Sequence, residues 1–191
     1  MKKGMTKTLA VFVAAVMIVV VGAGAASAYT TGGNHIGKDV WYKTTNSFTD
    51  ETRAGARQAM SSWNAYLPVG KRVCYDSSYV SEALYPNRNF CNSITKISST
   101  KSYLGQNTWW ADPDDAVVVE SDININARYS WWNNPPAGYY DPYSTLLHEF
   151  GHTVGLGHST ETTAVMYKSL SSGTTKRTLR ADDINGVKSL Y

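Results

Sequence analysis

The order of its segments predicts an α/β or α+β fold for this 191-residue chain. A short apolar segment at residues 40–42 precedes a stretch of helical periodicity. Aromatic and β-branched runs, separated by Asn, Gly, Pro and Asp, follow over residues 71–132, and a second helical pattern starts near Asp141. A strand, a helix, several strands and another helix are the elements of a sheet layered with helices. With 42% hydrophobic and 17% charged residues, the composition is globular.

Residues 1–28 have the three parts of a secretory signal peptide. They begin with three lysines and no acidic residue, continue as an apolar run over residues 9–21, and end in Ala26-Ser27-Ala28. An uncleaved membrane anchor is the alternative, but the apolar run is shorter than the ~20 residues that span a bilayer. We therefore expect an exported, extracellular protein whose mature part begins at Tyr29.

The net charge of +3 belongs to this leader. Removing 28 residues from 191 leaves 163, and removing three lysines from 18 basic residues leaves 15, which equals the 15 acidic residues. A neutral mature chain gives no reason to expect nucleic acid or a membrane as a partner. We divide it into a flexible N-terminal arm, residues 29–38, and one folded domain, residues 39–191, which we expect to be monomeric.

The chain has two cysteines, Cys74 and Cys91. In an exported chain such a pair predicts one disulfide, which would contribute about 3 kcal/mol by the chain-entropy model. Two reduced, buried thiols are the alternative.

The first helix is predicted to start after Thr49, a suitable N-cap followed by two acidic residues that favour the positive end of the helix dipole. Pro68 and Gly70 should end it. Its buried face is predicted from four apolar residues at helical spacing: Ala56, Met60, Trp63 and Leu67.

Residues 72–75, 102–110 and 116–128 are the strand candidates that follow. Tryptophan pairs stand at 109–110 and 131–132. A stacking platform for carbohydrate or bases is one interpretation of these pairs, but we favour packing in the core or at its rim.

The second predicted helix carries the side chains that are best suited to take part in chemistry. Asp141 is a suitable N-cap and Pro142 a suitable first residue. His148 and His152 are four residues apart, so both imidazoles lie on one face and can reach one metal ion. That face is displaced by roughly 200° from the apolar stripe of the helix, which consists of Leu146, Phe150 and Val154.

Gly155 can adopt the positive φ that ends a helix and turns the chain back, which would bring His158 to the same ion. Three neutral imidazoles suit tetrahedral Zn²⁺ with a fourth position for water. Glu149, next to His148, is suited to accept a proton from that water and pass it to a leaving amine. Three of the chain's four histidines fall in this HExxHxxGxxH pattern.

The segment from His148 to Ser159 resembles the zinc-binding signature of the metzincins, and especially that of their matrixin branch. In that family a methionine turn follows downstream, and Met166 stands at a suitable distance. By this resemblance Met166 forms a hydrophobic floor beneath the metal. Residues 179–191 are similar to the C-terminal matrixin helix, in which an aspartate supports the methionine turn, here Asp182 or Asp183.

The resemblance implies a metzincin-like catalytic domain over residues 39–191. Its twisted, mostly parallel five-stranded sheet would have an antiparallel edge strand, with three helices and the zinc in a horizontal cleft. An extended peptide would pair antiparallel with the edge strand at residues 103–110. Residues 168–180 would form the wall of the pocket for the side chain after the scissile bond.

The cofactor expected is a single zinc ion. Calcium often accompanies the fold that the resemblance implies, although an ordinary polar loop is the alternative. The oxygen donors available for calcium are Asp112, Asp114, Asp115, Glu120 and Asp122.

The leading functional hypothesis is a secreted zinc metalloendopeptidase that acts on protein or peptide substrates, with Glu149 as the general base. A zinc-containing binding or toxin-like module with little turnover is the alternative from another class. Hydrolysis of a non-peptide amide remains open, because the zinc ligands alone do not define the substrate.

Overall fold

The structure, a computed structural model, describes residues 11–13, 28–81 and 86–191. Most of the proposed leader therefore lies outside the described residues. Within them, no helix combines the length and the apolar character that crossing a membrane requires.

Six strands and three helices make up the described structure. The strands are β1 (Val11–Val13), β2 (Val40–Thr45), β3 (Val73–Val80), β4 (Asn92–Thr95), β5 (Gly105–Ala111) and β6 (Val118–Ile125). The helices are α1 (Asp50–Asn64), α2 (Pro142–Thr153) and α3 (Ala181–Lys188).

The strands form one sheet in the order β1-β5-β6-β4-β2-β3. Strands β3, β2, β4 and β6 are parallel, whereas β5 runs antiparallel to β6. This confirms the predicted five-stranded, mostly parallel sheet with one antiparallel edge strand and three helices. The three-residue β1 pairs antiparallel with the outer edge of β5.

The strand β4 was not predicted, because its sequence, Asn-Ser-Ile-Thr, is short and mostly polar. It lies between β2 and β6, where its polar groups find partners on the neighbouring strand. The Ser93 amide and hydroxyl both donate to Asp122 Oδ1, at 3.0 and 2.7 Å. Hydrogen bonding thus compensates the burial of a segment that its composition marks as surface.

Helices α1 and α2 pack against each other beside the sheet, and aromatic side chains fix the position of α2. The Trp63 indole donates to the Leu147 carbonyl at 2.8 Å, and the Tyr42 and Phe150 rings meet edge to face at 5.3 Å. Helix α1 ends at Asn64, earlier than predicted, although Leu67 is still buried beyond its end.

Residues 29–38, treated above as a flexible arm, are packed against the domain. Ile36 is fully buried, and its amide donates to the Tyr191 hydroxyl at 2.9 Å. The Gly32 amide donates to the Gly155 carbonyl at 2.6 Å. A glycine-rich segment looks flexible in sequence, but here it is bonded to the turn after α2 and to the C-terminal residue.

The predicted disulfide between Cys74 and Cys91 is not formed, since both thiols are free. Cys74 lies opposite Trp41 on one side of β2, and Cys91 immediately precedes β4 on the other side. Two inter-strand spacings separate the Cα atoms by roughly 10 Å, whereas a disulfide requires about 4.4–6.8 Å. Short spacing along the chain did not reveal that a strand lies between the two cysteines.

We therefore expect two titratable thiols per chain when the protein is unfolded without reductant and assayed with a thiol reagent. A Cys74→Ser/Cys91→Ser double variant should have the melting temperature of the unmodified protein. Fewer than two thiols in a chain that intact mass shows to be monomeric and unmodified by a small thiol would contradict the strand arrangement. So would a reductant that lowers the melting temperature of the unmodified protein but not of the double variant.

Candidate active site

Helix α2 is anchored at its start by a buried carboxylate. Asp141 is fully buried, and its Oδ2 accepts a hydrogen bond from the Ser144 amide at 2.8 Å, as expected of an N-cap. The Arg177 guanidinium donates to both oxygens of Asp141, at 2.9 and 2.6 Å. This bidentate pair joins the helix to the segment before α3 and fixes where the helix begins.

His148 and His152 share one face of α2, and their tautomers follow from their partners. His148 Nδ1 is 2.8 Å from the Val165 carbonyl oxygen, and His152 Nδ1 is 2.8 Å from that of Leu156. Because a carbonyl can only accept, each neutral ring carries its proton on Nδ1. The two Nε2 atoms, 3.2 Å apart, therefore face each other with their lone pairs.

His158 joins this pair through a turn at Gly155. Gly155 has φ of 102°, and a Cβ there would overlap the Asn34 carbonyl oxygen, so only glycine fits. The ring centroid of His158 lies 5.2 Å from that of His148 and 5.0 Å from that of His152. Potential ligand atoms of all three lie within 4.8 Å of one another, and the described ranges contain no other such group of three or more His, Cys, Asp or Glu residues.

Electrostatics keep these imidazoles neutral. Burial and, to a smaller extent, the neighbouring His158 together lower the pKa of His152 to about 4. Burial also lowers the pKa of His148, with His152 as the next cause, and that of His158, with Lys168 as the next cause. Neutral rings, with Nδ1 bonded to a carbonyl in two of them and a ligand nitrogen of each within 4.8 Å of the others, fit a zinc ion.

Glu149 lies beside the histidines at the edge strand. The carboxylate is buried, and a Cβ on Gly105 of β5 would lie 2.5 Å from its Oε1. Burial raises the pKa of Glu149 to about 8, against a smaller opposite effect of a hydrogen bond from the Asn107 backbone. A nearby divalent cation acts in the other direction, because it stabilises the ionised carboxylate.

Met166 is the methionine that the resemblance assigns to the floor beneath the metal, and this role stays a prediction. It is fully buried against α2, and a Cβ on Gly151 would overlap its sulfur atom.

The two aspartates left open above have different partners. Asp183 accepts hydrogen bonds from the Val165 and Met166 amides, at 3.0 and 2.9 Å. Asp182 instead accepts from the Ser159 hydroxyl at 2.6 Å, next to the third histidine.

A buried polar network beneath the site was missed by the sequence analysis. The Asn107 side-chain amide donates to the Glu149 carbonyl and to the Thr153 hydroxyl, both at 2.8 Å. Its own oxygen accepts from the Ser121 hydroxyl at 2.8 Å, and the Tyr42 hydroxyl lies 2.8 Å from that of Thr153. Three strands are thereby bonded to α2, but no pattern in the sequence distinguishes these residues from ordinary strand residues.

The histidines open onto a cleft of about 350 Å³. Residues 102–107 line one side, at the start of the predicted edge strand, and Tyr129 and Tyr140 are also in the wall. Of the predicted pocket wall, residues 168–170 and Lys176 line the cleft. The cleft thus extends from the metal-binding face along β5.

The carboxylates considered for calcium are not gathered at one point. Glu120 accepts the amides of Asn89 and Phe90, whereas Asp122 accepts those of Asn87 and Ser93. Asp112 and Asp115 accept hydrogen bonds within the turn between β5 and β6. These carboxylates accept hydrogen bonds from backbone amides, and calcium binding stays a prediction.

A model of the matrixin family of peptidases (peptidase M10) matches residues 26–191. Because the match covers the domain that carries the three histidines, the chain belongs to the matrixin family.

Curated relatives match over shorter segments. Metalloendoproteinase 1-MMP of Arabidopsis thaliana is 51% identical over 80 residues, which are 42% of this chain and 20% of that protein. Metalloendoproteinase 1 of Glycine max is 36% identical over 80 residues, 42% of this chain and 24% of that protein. Human neutrophil collagenase is 32% identical over 74 residues, 38% of this chain and 15% of that protein. The matched segments span at most 24% of these relatives' lengths.

The hydrogen bonds of Asp183 lead to a prediction. In Asp183→Asn an amide NH₂ replaces one acceptor oxygen, which leaves a buried donor unpaired at a cost of about 1–3 kcal/mol. Displacement of Val165 should also weaken zinc binding about 10- to 100-fold, because its carbonyl orients His148. Urea unfolding and competition with a chromophoric chelator would measure both effects.

Asp182→Asn is the matched control, since an amide oxygen can still accept from Ser159. It should lose less in both measurements. Equal losses in the two variants would show that Asp183 has no special role under the methionine turn.

Proposed function

We propose that this chain is a secreted zinc metalloendopeptidase, in which His148, His152 and His158 hold one zinc ion and Glu149 is the general base. The convergence of three neutral imidazoles beside a buried carboxylate is the observation that carries this proposal. Membership of a peptidase family supports the same reaction class.

The catalytic proton transfers are assigned to Glu149. Its carboxylate would accept a proton from the attacking water and return it to the amine of the leaving peptide. When bound, zinc would lower the pKa of water and polarise the scissile carbonyl. Gly105 supports this arrangement, because the absence of a side chain lets the edge strand approach the Glu149 carboxylate.

An extended polypeptide is the substrate that the cleft suits. Its backbone would add to the outer edge of β5 as an antiparallel strand. This edge already pairs with an extended segment in that orientation, since Val11–Val13 lie opposite residues 108–110. Those three residues belong to the leader that secretion would remove.

The alternative of a binding module loses part of its support. Trp109 and Trp110 are each only 6% exposed, and Trp131 packs against the core, so three of the four paired tryptophans are not available as a platform. Glu149, the proposed general base, is buried beside the histidines, and this favours an enzyme over a binding module.

Glu149→Gln tests the assignment directly. With zinc content unchanged at about one ion per chain, kcat/KM on an unfolded protein substrate should fall by at least about 100-fold, because the variant cannot accept the proton. A chelator should abolish the activity of the unmodified enzyme, and added zinc should restore it.

His152→Ala is the matched control, since it should lose zinc as well as activity. Full activity of zinc-loaded Glu149→Gln would refute the general-base assignment. Tight binding to a target by Glu149→Ala with an unchanged biological effect would favour the binding module.

Secretion has its own test. We expect the protein recovered from the medium to begin at Tyr29 by N-terminal sequencing or intact mass. Ala28→Leu should slow processing, because a large side chain does not suit the small-residue cleavage site. Recovery of the uncut chain in the membrane fraction would favour the anchor instead.

A further inference from the structure

Beside the cleft, two aromatic side chains are exposed together. Trp132 is 61% exposed and Tyr139 is 40% exposed, and their rings meet at 76° with centroids 6.4 Å apart. We call this pair the aromatic ledge. The other members of the two tryptophan pairs are buried or packed against the core, so the ledge contrasts with them.

Backbone hydrogen bonds hold the ledge in place. The Trp132 amide donates to the Tyr140 carbonyl at 3.0 Å, and the Tyr140 amide donates to the Ser130 carbonyl at 2.8 Å. The Gly173 amide donates to the Tyr139 carbonyl at 2.9 Å, which ties the ledge to the pocket wall. Trp and Tyr side chains have only two χ angles each, so rings carried on a backbone fixed in this way lose little conformational entropy when a ligand binds.

The ledge continues from the cleft. Tyr140, which follows Tyr139 and accepts from Trp132, lines the cleft together with Tyr129. The Tyr129 and Tyr140 rings meet edge to face at 5.3 Å. A polypeptide that leaves the cleft past Tyr140 therefore comes next to the residues that carry the ledge.

The strand directions show which part of the substrate does so. Gly105 at the start of β5 lies opposite Ile125 at the end of β6, and the segment that carries the ledge follows β6. A substrate antiparallel to β5 has its C-terminal part towards the start of β5. The ledge thus lies on the side of the leaving peptide, after the scissile bond.

The surface chemistry indicates what is bound there. Residues 130–140 contain no charged side chain, and the exposed faces are those of an indole and a phenol. Such faces favour another ring in stacked or edge-to-face contact, or the ring of proline, over an acidic side chain. A basic side chain would gain only the attraction of the ring faces, because residues 130–140 offer it no carboxylate as a partner.

We propose that the aromatic ledge of Trp132 and Tyr139 is a specificity subsite that binds a proline or aromatic side chain located a few residues after the scissile bond. This proposal rests on the proposed peptidase function. It assigns to the chain a preference for substrates with a ring in the leaving segment.

The test uses zinc-loaded enzyme and quenched fluorescent peptides with one fixed sequence through the second residue after the scissile bond. One peptide ends there, and the others continue with Ala, Pro or Trp at the third, fourth or fifth position. Mass spectrometry verifies the cleaved bond. The readout is the ratio of kcat/KM for a ring-bearing peptide to that for its alanine counterpart.

At one or more positions this ratio should be about 2- to 12-fold in the unmodified enzyme. Trp132→Ala and Tyr139→Ser should each bring it close to one. Two independent variants are used so that a folding defect in one, detected as a lowered melting temperature, does not decide the result. Trp41→Ala is the matched control, because Trp41 is 55% exposed on β2, which β6 and β4 separate from β5, and it should keep the full ratio.

The outcomes separate this proposal from the one on which it rests. If the unmodified enzyme cleaves the shortest peptide but shows a ratio near one throughout, the ledge proposal is wrong and the peptidase function stands. A ratio that persists in both ledge variants also overturns it. If no peptide is cleaved, both proposals fail. If Trp132→Ala loses retention on insoluble polysaccharide with peptide ratios unchanged, the ledge binds sugars instead.

Discussion

The orientation of His148 depends on the peptide groups on either side of Val165. The Asp183 carboxylate accepts the Val165 amide, and the Val165 carbonyl accepts the His148 Nδ1 proton. A fully buried aspartate on α3 therefore fixes the ring orientation of the first histidine through one residue of the methionine turn. Without that carboxylate, two amides of the turn would be buried without an acceptor, so the turn, the histidine and the helix α3 stabilise one another.

The residues of the candidate site could be predicted from the sequence because they lie close together along the chain. His148, Glu149 and His152 lie within one helix, and Gly155 turns the chain after it, so helical periodicity places them together. The partners that orient them come from distant parts of the chain. Asp183 could not be separated from Asp182, and Asn107 gave no signal, because only tertiary packing shows which side chain meets the site.

The fold was predictable to a similar extent. Strands with aromatic and β-branched runs were recognised, and their parallel order agrees with the family resemblance. Strand β4 was missed because Ser93 is buried by hydrogen bonding and not by hydrophobicity. The segment with Gly32 looked flexible because its partners, Gly155 and Tyr191, lie more than 100 positions away along the chain.

The two thiols have a consequence for how the protein behaves in an oxidising medium. Because a strand separates Cys74 from Cys91, oxidation cannot form an intramolecular disulfide between them. Any disulfide must instead link one of these cysteines to a second protein molecule or to a small thiol. Burial raises the pKa of both thiols, so little reactive thiolate is present at neutral pH. Covalent dimers should therefore form slowly. Because two molecules must meet, the fraction of protein converted to dimer should grow faster at high protein concentration, and dilute storage should limit it.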